Sequence, residues 1–141
     1  MTIIVTGGLG FIGTNFINLI LKEKKETIIN IDYITYASNL GLTNENKIKN
    51  NKYEFVKGNI IDEVLIDNVF KKYKPKAIIN FAAESHVDRS IKSPEIFIDS
   101  NIKGTFCLLQ SAYKYWSGLD KKNQDGFRFI QISTDEVYGS L

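Results

Sequence analysis

The sequence predicts an α/β domain built on a doubly wound parallel sheet, incomplete at its C-terminal side, and three observations carry that expectation. Short β-branched runs alternate with amphipathic stretches along the chain. The runs read as unbroken apolar segments, the pattern of strands covered on both faces. The first of them passes straight into a glycine-rich turn that opens a helical pattern.

Thr2 to Thr6 is the first strand, and Phe11 to Glu23 then places apolar residues at helical spacing before a Lys-rich end. Thr27 to Ile31 and Tyr53 to Val56 are further strands, separated by the longest candidate loop, Tyr33 to about Asn51. Asp62 to Tyr73 gathers Val64, Leu65, Val69 and Phe70 on one helical face, with Asp62 as N-cap and Pro75 closing the helix. Ala77 to Phe81 is a buried strand. Ser93-Pro94-Glu95 marks a helix start, a capping side chain followed by Pro at the first helical position. That helix is expected to run unbroken to about Trp116, with Gly118 at its C-terminal cap. Phe127 to Ile132 is the fifth strand.

With 141 residues and 43% hydrophobic content the chain can bury one core of ordinary domain size. The formal charge of +2 comes from scattered Lys, with small clusters at Lys22, Lys24 and Lys25 and at Lys71, Lys72 and Lys74. That is too dispersed for a nucleic-acid stripe. Cys107 is the single cysteine, so an intramolecular disulfide and a thiolate zinc site are excluded, no metal is expected, and a reducing compartment fits. The amino terminus lacks a basic start with a long apolar run, and no segment reaches about 18 apolar residues. A cytoplasmic location with no membrane contact is expected.

Between the first strand and first helix lies Thr6-Gly7-Gly8-Leu9-Gly10-Phe11-Ile12-Gly13. Gly7 permits the tight turn, Gly10 lets a pyrophosphate approach the backbone, and Gly13 lets helix and strand pack closely. The anion would sit at the helix mouth, where unpaired amides and the positive dipole end converge. Asp32 follows nineteen residues after Gly13, at the end of the second strand, where an acid binds a ribose diol. Its carboxylate would repel a 2′-phosphate, so NAD is favoured over NADP. At the other end, Ile132-Ser133-Thr134-Asp135-Glu136-Val137-Tyr138-Gly139 sets a hydroxyl and two adjacent carboxylates directly after the last strand. Together these suggest redox chemistry combined with proton transfer.

Thr6 to Gly13 resembles the signature of the extended short-chain dehydrogenases/reductases. Asn80-Phe81-Ala82-Ala83-Glu84-Ser85-His86-Val87-Asp88-Arg89-Ser90 and Ser133 to Gly139 are similar to the dTDP-glucose 4,6-dehydratase family, and the similarity covers the whole chain. The resemblance implies a Rossmann fold, NAD as cofactor and a nucleoside-diphosphate-glucose as substrate. It implies conversion of dTDP-glucose to dTDP-4-keto-6-deoxyglucose and water, by C4 oxidation, elimination across C5 and C6, and hydride return to C6. In that scheme Glu136 is the base, Asp135 the acid and Thr134 the partner of the sugar's C4 oxygen. For Asp135 to donate at neutral pH, its pKa must be raised by desolvation beside a second carboxylate.

The same resemblance assigns cofactor contacts to Phe11 and Ile12 at the pyrophosphate and to Asp32, Tyr33, Ile34 and Thr35 at the adenosine ribose. Phe81, Ala82, Ala83, Glu84 and Ser85 line the cofactor, with Ser85 also facing the substrate. Asn59-Ile60 stands where the family has Asp-Ile, so a neutral amide oxygen would meet the adenine amino group. Ser100 replaces a Thr, and Gly41 a polar residue. The Tyr-x-x-x-Lys pair with which the family oxidises its sugar has no fitting place here, since Tyr53 and Lys57 fall inside the third strand. The chain is therefore expected to be an N-terminal piece, residues 1–141, without the substrate domain and inactive alone. Family members dimerise through the long helix, so a homodimer is expected of the complete protein. His86 is expected to be a hydrogen-bonded loop residue and Cys107 a core residue, while Tyr113, Tyr115 and Trp116 serve packing or a subunit contact. Rival readings are another nucleotide-sugar epimerase or decarboxylase, which would have no need of Thr134-Asp135-Glu136, and a non-catalytic NAD-binding module.

Overall fold

The computed structural model describes residues 1–23, 25–42, 51–134, 137 and 139. In chain order it contains β1 (Thr2–Thr6), α1 (Phe11–Glu23), β2 (Thr27–Asp32), β3 (Tyr53–Lys57), α2 (Glu63–Tyr73), β4 (Ala77–Asn80), α3 (Val87–Lys92), α4 (Pro94–Phe97), α5 (Thr105–Ser117), α6 (Lys121–Gly126) and β5 (Arg128–Gln131). A short 3-10 turn occupies Leu40–Leu42 and a π-helical stretch Ile98–Gly104. The strands form one five-stranded sheet in the order β3-β2-β1-β4-β5, and every described pairing is parallel. β1 lies at the centre, with Thr6 paired to Ile31 on one side and to Asn80 on the other.

Alternation along the strands divides the apolar residues between two faces. Ile3, Val5, Ile28 and Ile79 meet Ile17 and Leu21 of α1. Ile4, Ile29, Ile31 and Ile78 meet Ile66, Val69 and Phe70 of α2 and Leu108 and Ala112 of α5. Each Ile, Val, Leu or Phe among them stabilises the fold by about 1.5–3 kcal/mol on burial. β1, β2 and β4 are thus covered on both faces, which is why they read as continuous apolar runs, whereas β5 at the edge leaves Ile130 44% exposed. No helix among the described residues is long and apolar enough to cross a membrane.

Local chemistry sets the ends of α2. Asp62 accepts the Leu65 amide at 3.0 Å as N-cap. Lys74 turns left-handed at φ 46° and Pro75 follows, stopping the helix.

Other expectations need correction. The helix expected from Ser93 to Trp116 is broken by the π-helical stretch, and Ser93 makes no side-chain capping bond. Gly118 caps α5 with φ −86°, so the cap uses an ordinary right-handed conformation rather than glycine's left-handed freedom. α3 and α6 were not expected at all; both are six-residue helices with no buried residue, so no apolar periodicity could announce them. β4 ends at Asn80, one residue short of the expected end, although the Phe81 amide still bonds the Thr6 carbonyl at 3.0 Å as the chain enters the loop. Cys107 is half-buried rather than core, and His86 is exposed at the start of α3 without a capping bond. Tyr115 and Trp116 do pack internally: Tyr115 contacts the rings of Phe70 and Phe127, and the Trp116 indole donates to the Gln124 carbonyl at 3.1 Å.

The loop after β2 is tied back to the sheet by one phenol. The Tyr53 hydroxyl donates to the Leu42 carbonyl at 2.6 Å and accepts from the fully buried Asn30 amide at 2.9 Å. Burial pushes this phenol up to about 12 from its ordinary 10.0; the Asn30 bond opposes the shift and the Asp32 charge adds to it. The neutral form is therefore the one the fold requires. Its contribution is whole below pH 10 and is lost as pH rises from about 10 through about 12. Tyr53→Phe is expected to cost about 1–3 kcal/mol in urea denaturation, because the Asn30 amide loses its partner. The variant should also show a shallower loss of stability across that alkaline window than the parent.

Candidate functional site

Sheet geometry brings the carboxyl ends of β1, β2, β3 and β4 to one edge, and a cleft of about 610 Å³ opens there. One lip is the turn between β1 and α1. Gly7 has φ +67°, and a Cβ there would lie 2.5 Å from the Ala82 backbone nitrogen. Both facts require glycine. A Cβ on Gly13 would come within 2.5 Å of the Gly7 carbonyl, so that position secures close packing of α1 on the turn. Gly10 differs: its Cβ would meet only the Gly7 carbonyl, at 3.3 Å, and otherwise open space. Thr14 is the first residue of α1 to bond a carbonyl four back, that of Gly10 at 2.9 Å. The amides of Phe11, Ile12 and Gly13 therefore precede the first helical bond and are available at the helix mouth.

The opposite lip follows β2. Asp32 spends its carboxylate on two backbone amides, Leu9 at 3.0 Å and Ile34 at 2.9 Å, so one side chain fixes the glycine turn and the post-strand loop together. Ile34 sits at φ 63°, a conformation a β-branched residue rarely adopts. The loop is tied again by the Asn39 amide to the Leu9 carbonyl at 2.7 Å.

Behind the cleft, Asn80 joins three strand ends. Its amide oxygen accepts from the Thr6 hydroxyl and from the Ala82 amide, and its amide nitrogen donates to Gln131 at 2.7 Å. Beyond it the 81–86 segment is clasped by Asn101. The Asn101 oxygen accepts the Glu84 amide and its nitrogen donates to the Glu84 carbonyl, both at 2.8 Å. The π-helical stretch that carries Asn101 also delivers Asp99 and Ser100 to the cleft, and π-type stretches in helices frequently mark functional sites.

Of the expected cofactor residues, Gly7, Gly10, Asp32, Tyr33, Ile34, Thr35, Asn59, Ile60, Phe81, Ala82, Ala83, Glu84 and Ser100 line this cleft. Phe11 and Ile12 are 85% and 60% exposed and lie outside the lining of the main cleft, with Phe11 lining the adjoining hollow. Gly13 is buried in the helix contact, and Ser85 is exposed outside the lining. The Asn59 side-chain oxygen already accepts the Ile61 amide at 3.2 Å, so it is turned back on its own chain. Thr134 is exposed past β5, on the same carboxyl edge; Asp135 and Glu136 lie outside the described residues. Tyr53 and Lys57 are both in β3, with the Tyr53 hydroxyl committed to Leu42 and Asn30. No group of metal-ligating side chains occurs among the described residues.

Sequence reasoning gave no role to Tyr36, Arg89, Asp99 or Asn101, which line or brace the cleft. Only Asn101 left a signal, a lone amide within an otherwise helical stretch.

Chemically, the edge offers amides for an anion, the Asp32 carboxylate, and a floor that includes the small residues Gly7, Ala82 and Ala83. A Rossmann-type α/β domain with a ligand cleft where the strand order reverses is what fold and cleft together define. The chain belongs to the GDP-mannose 4,6 dehydratase family, whose profile matches residues 4–141. It is similar over its whole length to the dTDP-glucose 4,6-dehydratases of Salmonella typhimurium, at 48% identity, and Escherichia coli, at 49%, and spans 39% of each. Among solved structures it matches the dTDP-glucose 4,6-dehydratase of Bacillus anthracis, determined in complex with NAD, at TM-score 0.79 and 39% identity, covering all of this chain and 40% of that one. The UDP-glucose 4-epimerase of Thermotoga maritima, solved with UDP-glucose, matches 95% of this chain and 38% of its own at TM-score 0.75 and 29% identity.

Asn101→Ala would leave the Glu84 amide and carbonyl without their partner. The expected result is a loss of about 1–3 kcal/mol in chemical denaturation, with faster amide exchange confined to residues 81–86.

Proposed function

We propose that residues 1–141 form the NAD-binding portion of a dTDP-glucose 4,6-dehydratase, with the substrate domain supplied by the length its relatives have and this chain does not span. The observation that carries the reading is the cleft itself, where the glycine turn, Asp32 and the 81–84 segment converge at the strand-order reversal. The residues present fit the cofactor: Gly10 keeps space open at the helix mouth, and Ala82 and Ala83 present little more than backbone. The amides of Phe11 and Ile12 would hold the diphosphate and Asp32 the adenosine ribose, while Tyr33, Ile34, Thr35, Asn59, Ile60 and Ser100 would enclose the adenosine end. Phe81, Ala82, Ala83, Glu84 and Ser85 would line the remainder.

Bound NAD supplies a hydride acceptor that is regenerated within one turnover. Thr134 would hold the sugar's C4 oxygen, and with C4 as a ketone the C5 proton becomes acidic enough for the Glu136 carboxylate to remove. Asp135 would protonate the departing C6 hydroxyl. The Thr134-Asp135-Glu136 sequence favours this reading over an epimerase or decarboxylase, neither of which needs an acid and a base side by side. The chain's sequence contains no Tyr-x-x-x-Lys in a fitting place, so it is proposed to bind cofactor without turnover when alone. Calorimetry should show NAD binding at one site per chain. Asp32→Asn should weaken it by roughly tenfold, since the anionic acceptor is lost and one backbone amide loses its partner; absence of any heat with the folded parent would end the proposal.

The reading extends to a cytoplasmic location and, supported by an apolar stripe, to a homodimer. Ile98 and Ile102 of the π-helical stretch and Phe106, Leu109 and Tyr113 of α5 recur every three or four residues, each between 47% and 65% exposed. A contiguous stripe of this kind marks an interaction surface, and a second copy presents the same face. Phe106→Glu combined with Tyr113→Glu is expected to convert a sedimenting dimer to monomer without change in far-ultraviolet circular dichroism.

A further inference from the structure

Arg89 is the single cation among the described residues lining the cleft, which otherwise carries the carboxylates of Asp32, Glu84 and Asp99. Asp99 is already paired with Lys103 at 2.6 Å. The Arg89 guanidinium accepts no such partner: among the described residues no carboxylate lies within ion-pair distance and no oxygen accepts its protons. It is instead held 4.1 Å over the centroid of the Tyr36 ring. Stacking fixes a guanidinium in orientation while leaving its five in-plane donors free.

The location of that platform matters. Tyr36 borders both the main cleft and an adjoining hollow lined by Leu9, Phe11 and Thr14 at the start of α1. The loop bearing it is bonded to the glycine turn through Asn39 and Leu9. An oriented cation therefore faces the cleft beside the helix mouth, in surroundings that would otherwise repel an anion. The ligand class it suits is a phosphate ester.

We propose that Arg89 binds the phosphates of the dinucleotide, with Tyr36 as the surface that aims it. The proposal rests on the NAD reading above and adds to it a phosphate-binding side chain that the glycine turn does not supply.

Calorimetric titrations of the chain with NAD at several salt concentrations, and ligand-observed NMR with adenosine, test it. Arg89→Leu should weaken NAD binding by roughly tenfold or more, as loss of a charge-assisted bond does. The dependence on salt should become shallower, and adenosine, which carries no phosphate, should bind as to the parent. Arg89→Lys should recover part of the affinity. Tyr36→Leu should cost roughly twofold to fivefold, the range of an exposed cation–π contact. Parent-like NAD affinity and salt dependence in Arg89→Leu would overturn the proposal while leaving the NAD reading standing. Equal losses for NAD and adenosine would overturn it in favour of a bracing role for Arg89. A parent chain that binds adenosine but not NAD would overturn both readings.

Discussion

Two backbones pass so closely at Gly7 and Ala82 that no side chain fits between them, and the working edge of the sheet depends on that approach. It is enforced from below, where the Phe81 amide bonds the Thr6 carbonyl at 3.0 Å and the Thr6 hydroxyl bonds Asn80. Because β1 and β4 are neighbours whose chains then leave in different directions, the contact closes the floor and the cleft opens directly above it. Larger residues at either position would separate the strand ends and fill the space a ligand needs.

From that floor the two lips are positioned by different means. The glycine lip is set by packing, with α1 seated on the turn and Ile17 and Leu21 buried against the sheet. The lip after β2 is anchored at its ends by Ile34 and the buried Leu42, and between them Asp32, Asn39 and Tyr53 hold it through hydrogen bonds to Leu9, Ile34 and Leu42. Polar ties of this kind are individually modest, but each leaves a partner unsatisfied when removed. Asp32 consequently serves two ends at once. The acid proposed to hold a ribose also joins the two lips of the cleft.

The sequence announced those parts of the molecule whose physics is local. β1 and α1 were legible from apolar spacing, because burial on one face writes a period into the chain, and α2 from its caps. The face expected of α2 needs correction, since Val64 is 72% exposed and Ile66 is buried with Val69 and Phe70 instead. Gly7 and Asp32 were legible because a turn and a strand end demand particular residue types at a fixed separation. What escaped notice arises from contacts distant in the chain. The π-helical stretch keeps helical spacing on either side and so resembles continuous helix, yet it carries Asn101 to a backbone seventeen residues away. α3 and α6 bury nothing and leave no period. Arg89 and Tyr36 are separated by most of two crossovers, and only the folded sheet brings the cation onto the ring.

Ile34 gives the cleft a mechanical asymmetry. A left-handed backbone at a β-branched residue stores about 1–3 kcal/mol, and here the Asp32 carboxylate restrains it through the Ile34 amide. One rim thus takes its left-handed residue as a glycine, Gly7, without strain, while the other takes it as Ile34 and holds it through a single acidic group. A guest hydrogen-bonding that group's oxygens would share them with the Ile34 amide, the contact that restrains the turn.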